Sequence, residues 1–424
     1  MSNENRVTNN SAICLVVDRL HAGFLGAMGN SWVRTPMFDR LASQSLLLDS
    51  AIADTGDLAQ LYRGYWQGRH ALEPVVEGRE NEGSSLPQQL ATAGVRTLLL
   101  TDDECVAELP GADQFAERIV LPCSRPIELA ASIEESGFAQ FFAAAIDLID
   151  RMNEPTLLWL HMRGMSAPWD APLELREAFA DEEDPDALTT VDVPCQQLSP
   201  NFDPDELLSI TQAYVAQAAV WDACLGTLVD ALDDSRVKDR TLLNVLGARG
   251  FPLGEHLAVG AASAALYGEL LQVPWVVRFP EQRAVSIRTS QLVQPPDLFA
   301  TLGDWWQLGT CSKPPFCESL FQLADAEGDW TRERACSVGE EQAWAIRTRA
   351  WFARGEEGND DGSSELFTKP DDRFEVNEIS ARCGEIRELM REAFQEARLL
   401  AESEGEPSAG ALSPLDRRLI EGMA

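Results

Sequence analysis

Basic residues are scarce in this chain: 34 lysines and arginines stand against 69 aspartates and glutamates, a formal net charge of −35. A field of that sign repels nucleic acid and anionic membranes, and it steers sulfated or phosphorylated polyanions away. It favours solubility and draws cations or basic partners, and it reads first as a solvated acidic surface of the kind some cytoplasmic proteins carry. Histidine is scarcer still, with four in 424 residues, which leaves little for an imidazole-based acid–base or metal site. The nine cysteines show no paired spacing and are odd in number. That argues against a disulfide framework and for free, mostly buried thiols in a reducing compartment. No apolar run approaches the ~18 residues of a membrane span. The opening MSNENRVTNNSA has no apolar stretch of the signal-peptide kind. The expectation is a cytoplasmic protein that binds neither nucleic acid nor membrane.

Apolar residues make up 45% of the chain, enough for a sizeable core, and the length favours a large domain with a smaller companion. The expected division is a disordered N-terminus over 1–11, an α/β domain over 12–312, a small C-terminal α+β subdomain over 313–401 and a tail over 402–424.

AICLVVD (12–18) is a short apolar run ending in Asp18, the pattern of a buried parallel strand. Thr35-Pro36 opens a helix, with Thr35 as the cap. A helix over Pro87–Ala93 stops at Gly94 and feeds a strand over Arg96–Thr101. Leu157–His161, Thr241–Leu246 and Val273–Phe279 are further strands. The clearest helix starts at Asp203, with Pro204 first inside it and Glu206 completing a capping box. Leu207, Ile210, Tyr214, Ala218, Trp221, Leu225, Leu228 and Leu232 then recur at helical spacing, a core stripe. Ala180–Pro204 and Glu356–Ser364 read as exposed loops, and the Trp305-Trp306 pair, Trp344 and Trp351 as packing. Strands alternating with helices predict a mostly parallel central sheet with helices on both faces.

Several segments, in order, carry a resemblance. LVVDRL (15–20), AGFLGAMGN (22–30) and TPMFDRLA (35–42) are similar to the opening of sulfatases, members of the alkaline phosphatase superfamily. SAPWDAP (166–172) resembles their His-x-Pro-Trp segment, and GARGFPLGEH (247–256) their Asp-His-Gly segment with its trailing Gly-Glu-His. LYGELLQVPWVVRFP (266–280), PPDLFATL (295–302) and ELFTKPDDRFEVN (365–377) continue the match. The resemblance implies the α/β fold of that family with its C-terminal subdomain. It also implies a divalent cation, usually calcium, on carboxylates and an amide or His. A cysteine converted to formylglycine would be the nucleophile, with Lys, Arg and His orienting the sulfate.

Most of those positions hold the wrong residue. Asp18 stands at the first aspartate, but Arg19 stands at its partner. The family's Cys-x-Pro-Ser-Arg should precede a Gly-Arg by ten residues. Gly68-Arg69 is present, yet Leu58 falls at the cysteine's place, or Asp57 with a one-residue shift, and no formylglycine can form. Arg63 falls near the family's arginine. Ser166 replaces the histidine of His-x-Pro-Trp, and Ala248 and Arg249 replace the later Asp-His pair. Asp18, Gly68-Arg69 and His256 are what survives. A single carboxylate is far short of the six to eight oxygens that calcium takes, so no cofactor is expected, and calcium only if the site is functional after all.

Asp18 then needs a partner at the end of a buried strand, and Arg19 or Arg249 can fill the cation's place with a guanidinium. Thr55 and Asp57 read as loop groups, since the two-zinc chemistry that activates a threonine needs ligands absent here. His21, His70 and His256 read as packing or surface histidines. His161 is the best placed, ending a strand at the sheet edge where Asp102, Asp103 and Glu104 also lie. Two function classes follow. One is a catalytically inactive sulfatase-like protein that binds a small molecule or a protein partner through the former cleft. The other is a divergent sulfuric- or phosphoric-ester hydrolase with a rebuilt metal site.

Overall fold

The computed structural model describes residues 9–75, 85–122, 126–262, 265–309, 315–325, 328, 330–356, 364–403 and 412–422. Most of the expected N-terminal segment, the middle of the Glu356–Ser364 loop and residues 404–411 of the expected tail lie outside them.

The first strands are β1 (Ser11–Val17), β2 (Leu46–Ile52), β3 (Arg96–Thr101), β4 (Glu117–Val120) and β5 (Thr156–Met162). Two-residue β6 (Gln196–Gln197) and β8 (Ala258–Val259) pair with each other, apart from the main sheet. β7 (Thr241–Gly247), β9 (Gln272–Val273), β10 (Trp275–Arg278) and β11 (Ile287–Val293) complete it. The order is β11-β2-β10-β7-β1-β5-β3-β4, with β9 beside β2. β10 runs against β7 and β2, and β9 against β2, while the remaining pairings are parallel. The expected strand over Val273–Phe279 is therefore two pieces, because Pro274 has no N–H to give the ladder.

β1 is buried throughout and shows why its sequence is continuously apolar. Ile13, Leu15 and Val17 point into one core, while Ala12, Cys14 and Val16 point into a second core across the sheet. Helices Pro36–Ser43, Gly137–Asp150 and Pro204–Asp234 cover the first face; Leu58–Gln67 and Pro296–Trp305 cover the second. The helix Pro204–Asp234 is long and apolar enough to cross a membrane, yet 72% of its most apolar window is buried inside the protein. Asp203 caps it by accepting from Asp205 N at 3.0 Å.

Thr35 does not cap the Pro36 helix as expected; its hydroxyl accepts from Gly26 N at 2.8 Å. The carboxylate of Asp222, on the long helix, takes Met37 N at 3.1 Å and Phe38 N at 2.7 Å instead. A distant residue does the capping, so the local pattern had no trace of it.

Strands β12 (Ala335–Val338), β13 (Ala343–Arg347), β14 (Trp351–Glu356) and β15 (Glu365–Thr368) form a separate antiparallel sheet in that order. The helix Gly384–Glu402 packs on it through Ile386, Met390 and Phe394, against Trp344 and Trp351. The end of the chain departs from the tail expected there. Leu419 is buried in that same core, and Trp351 Nε1 donates to Arg418 O at 2.7 Å. Leu412, Leu415 and Leu419 supply the apolar contacts that hold it. The Trp305-Trp306 pair ties down the start of β1: their indoles donate to Ser11 O at 2.8 Å and Asn10 O at 3.0 Å. The described cysteines are free thiols.

Candidate functional site

The C-terminal ends of β1, β7, β5 and β3 lie side by side at the middle of the sheet, the edge where open α/β sheets gather their functional groups. Asp18 follows β1, Arg249 follows β7 by two residues, His161 lies near the end of β5, and Asp102 and Asp103 follow β3. Ser166 sits just beyond β5, in a turn whose Met165 N donates to Asp18 O at 3.0 Å.

Asp18 is 2% exposed and fully engaged. Arg249 Nε donates to its Oδ1 at 2.9 Å, Arg249 Nη2 to its Oδ2 at 3.1 Å, and the Ser166 hydroxyl to Oδ2 at 2.8 Å. Arg249 Nη1 reaches Gly56 O at 2.6 Å, tying the pair to the loop before the helix Leu58–Gln67. Burial pushes the Asp18 carboxyl up, but the charge and hydrogen bonds of Arg249 outweigh it and hold Asp18 below its ordinary value. The same pairing overcomes burial at Arg249 and raises it. Ala248 is fully buried and offers only its backbone N–H, to Val17 O at 2.9 Å.

Arg19 behaves differently. Its backbone is left-handed, with φ at 62°, a conformation that L-residues adopt at a cost. Tyr214 holds it there: its hydroxyl donates to Arg19 O at 3.0 Å and accepts from His21 N at 2.8 Å. The guanidinium reaches Gly250 O at 3.5 Å. Burial, helped by the neighbouring Arg249 charge, lowers its pKa to about 10.

The loop positions are structural. The Asp57 carboxylate caps the helix Leu58–Gln67 through Gln60 N at 2.9 Å, and Leu58 packs against the second core. Thr55 is buried and accepts from Asp57 N at 3.1 Å. Arg63 is not at the sheet edge; both its terminal nitrogens turn to Glu73 O at 3.3 Å, and Arg69 pairs with the Glu73 carboxylate at 3.2 Å. Four residues past Leu58 the residue is Tyr62, one helical step from Arg63, and Tyr62 is the side chain that faces the sheet. Its hydroxyl lies 2.7 Å from His161 Nδ1 and accepts from Trp159 Nε1 at 3.3 Å. Counted from Leu58, the last position of the five-residue family segment falls on Tyr62, beside Arg63.

The other histidines are held internally. His161 is fully buried, with Nε2 3.8 Å from Asp103 Oδ2. His70 Nε2 meets Gln294 Oε1 at 3.1 Å, and burial pushes its pKa down to about 3. His21 Nδ1 accepts from Gly23 N at 2.8 Å, and Nε2 meets Glu255 Oε1 at 3.0 Å. His256 turns toward the C-terminal subdomain: Nδ1 lies 2.7 Å from Glu269 Oε1, and Nε2 lies 3.2 Å from Glu375 O. Its ring stacks on Tyr267 at 3.5 Å between centroids.

The acidic run after β3 does not converge on a cation. Asp102 accepts from Arg163 N at 2.8 Å, Asp103 caps a short helix through Cys105 N at 2.9 Å, and Glu104 is exposed. Among the described residues no group of three or more His, Cys, Asp or Glu is arranged to hold a metal. The donor set at Asp18 does not fit calcium either. Its carboxylate is taken by one guanidinium and a hydroxyl, with a second guanidinium next in sequence, where a hard cation needs several free oxygens.

A mostly parallel sheet between helical layers, with its loop cluster at the strand ends and an antiparallel companion sheet, is the alkaline phosphatase type of hydrolase fold. The family model for sulfatases matches residues 11–308, and the chain belongs to that family. Human iduronate 2-sulfatase is 24% identical over 306 residues, 58% of this chain and 56% of that protein. The mouse protein of the same name is 23% identical over 362 residues, covering 70% and 64%. In both cases the match spans less than two thirds of the relative's length. Among solved structures, a protein bound to its substrate D-glucosamine-2-N,6-O-disulfate has a TM-score of 0.73 at 15% identity, covering 92% of this chain and 98% of that one. Phosphonate monoester hydrolase of Agrobacterium radiobacter follows at 0.71 and 16%, covering 92% and 96%. A putative sulfatase from Bacteroides fragilis scores 0.70 at 15%, covering 93% and 96%. At these identities the likeness is one of fold.

Proposed function

We propose that this chain is a sulfatase-family protein without ester-hydrolysing activity, and that its former active-site cleft serves binding. The observation that carries the reading is the saturation of Asp18 by Arg249 and Ser166. A catalytic cation must be held by free oxygens, and a buried carboxylate already in a two-point pair with a guanidinium gives up that partner only at the expense of a buried charge. Leu58 adds a second obstacle: an aliphatic side chain packed against the core supplies no nucleophile. Tyr62 in the arginine's place removes a charge that would orient a sulfate. On this reading the protein needs no divalent metal, and its ligand is a small molecule or a protein partner.

The test is a hydrolysis screen of the purified chain on aryl sulfates, phosphate monoesters and phosphonate monoesters, with and without added calcium, magnesium, manganese and zinc. The expected result is release at the rate of the buffer under every condition. Metal-dependent turnover that is lost in Asp18→Asn would overturn the reading in favour of a rebuilt hydrolase.

A further inference from the structure

Five side-chain cations are nine-tenths or more buried among the described residues: Arg19, Arg176, Arg332, Arg334 and Lys369. Four of them are well supplied with acceptors. Arg176 donates to the carbonyls of Leu188, Thr190 and Trp169. Arg332 grips Asp297 with both terminal nitrogens, Arg334 pairs with Glu396, and Lys369 pairs with Glu375. Arg19 is the exception. A guanidinium carries five N–H donors, and the acceptor near this one is a neutral carbonyl, Gly250 O, at 3.5 Å. No carboxylate lies within ion-pair distance of it among the described residues. A buried charge so poorly matched is costly unless an opposite charge joins it.

Nearby carboxylates are committed elsewhere. Asp18 is held by Arg249 and Ser166. Asp57 caps its helix, and Asp103 serves Cys105 N. Two guanidiniums therefore stand against a single engaged carboxylate at the ends of β1 and β7. Arg19 is also fixed in place. Its left-handed backbone is clamped by Tyr214, which packs 5.5 Å from Trp169 and 5.3 Å from Phe251, ring centre to ring centre. The backbone that carries the guanidinium is thus fixed in advance.

We propose that the cleft takes a small oxyanion (a carboxylate, sulfate or phosphate group) on Arg19, with Arg249 beside it. The anion would then sit where the resemblance implies a cation, on arginines that stand at positions the family gives to metal ligands. The proposal rests on the non-hydrolytic reading above and names the ligand of that same site. Arg19 supplies the charge-assisted fork, a geometry matched to the paired oxygens of such anions. The net charge of −35 disfavours loose anion binding over the rest of the surface, so saturable uptake would point to a built site.

The experiment is isothermal titration calorimetry of the full chain with sodium sulfate, sodium phosphate and sodium acetate at constant ionic strength, with sodium chloride as reference. Saturable binding of at least one oxyanion, one per chain and tighter than chloride, is expected; which salt binds best assigns the group. Arg19→Gln should weaken it about tenfold or more, the worth of one charge-assisted pair, while the exposed Arg391→Gln should not. Arg19→Lys, which keeps the charge and loses the fork, should fall between and serves if Arg19→Gln does not fold. Oxyanions binding no better than chloride would overturn the proposal, as would unchanged affinity in both Arg19 variants. Metal-dependent hydrolysis would instead overturn the non-hydrolytic reading; its absence together with absent anion binding overturns the oxyanion alone.

Discussion

Arg249 meets Asp18 along two parallel hydrogen bonds, Nε to Oδ1 at 2.9 Å and Nη2 to Oδ2 at 3.1 Å, at the end of the central strand of the sheet. The pair lets a carboxylate that is 2% exposed remain ionised. Removing one partner should therefore cost more than removing both. Arg249→Met leaves an unpaired buried charge and is expected to destabilise by about 3–5 kcal/mol. Adding Asp18→Asn to it should recover a good part of that loss. Urea denaturation of the two single variants and the double variant measures the coupling; additive losses would mean the two residues do not depend on each other.

Tyr62 and Arg63 are neighbours on one helix with opposite duties. Tyr62→Phe takes the hydroxyl from the buried His161 Nδ1 and should destabilise by about 1–3 kcal/mol. Arg63→Gln, which gives up contacts to one backbone carbonyl, should stay within about 1 kcal/mol. Denaturant midpoints of the two variants make the comparison, and equal losses would contradict the assignment of Tyr62 to the sheet edge.

His256 joins the α/β domain to the C-terminal subdomain, with the Glu269 carboxylate on one ring nitrogen and the Glu375 carbonyl on the other. Arg354 lies over the far face of Tyr267, 4.1 Å from the ring centre, and Lys369 pairs with Glu375 on the subdomain side. Burial lowers the imidazole's pKa, but the hydrogen bond and charge of Glu269 prevail and raise it above the ordinary value. A raised histidine contributes stability that is fully present below its unfolded pKa, near 6.5, and is lost as pH rises through the folded one. The melting temperature should accordingly fall as pH is raised from about 6 toward 8. In His256→Gln that part of the pH dependence should disappear; an unchanged profile would count against the cationic ring.

Asp222 caps the helix Pro36–Ser43 from another element. Asp222→Ala should cost about 1–2 kcal/mol, and Asp222→Asn, which keeps an acceptor, less. Thermal melts of both variants decide it, and an Asn variant as damaged as the Ala one would assign the loss to something other than the cap.

The architecture was legible in the sequence because its determinants are local. β1 alternates between two cores and so reads as an unbroken apolar run, and the stripe from Leu207 to Leu232 marks a core helix. The departures from the family's pattern were legible too, since Leu58, Ala248 and Ser166 stand at counted positions. What pairing alone decides was not. Whether Arg19 or Arg249 would meet Asp18 depends on which guanidinium the fold brings within reach, and the sequence neighbour is the one turned away by its left-handed backbone. The cap supplied by Asp222 and the docking of Leu419 are likewise contacts between residues far apart in the chain.

The measurement that bears most directly on the account is elemental analysis of the protein purified without chelators, against protein concentration. Calcium, magnesium, manganese and zinc should each be near zero, with Arg249 in the place of the ion. A stoichiometry close to one ion per chain, lost in Asp18→Asn, would contradict the account and mean that the carboxylate releases its arginine to bind a metal.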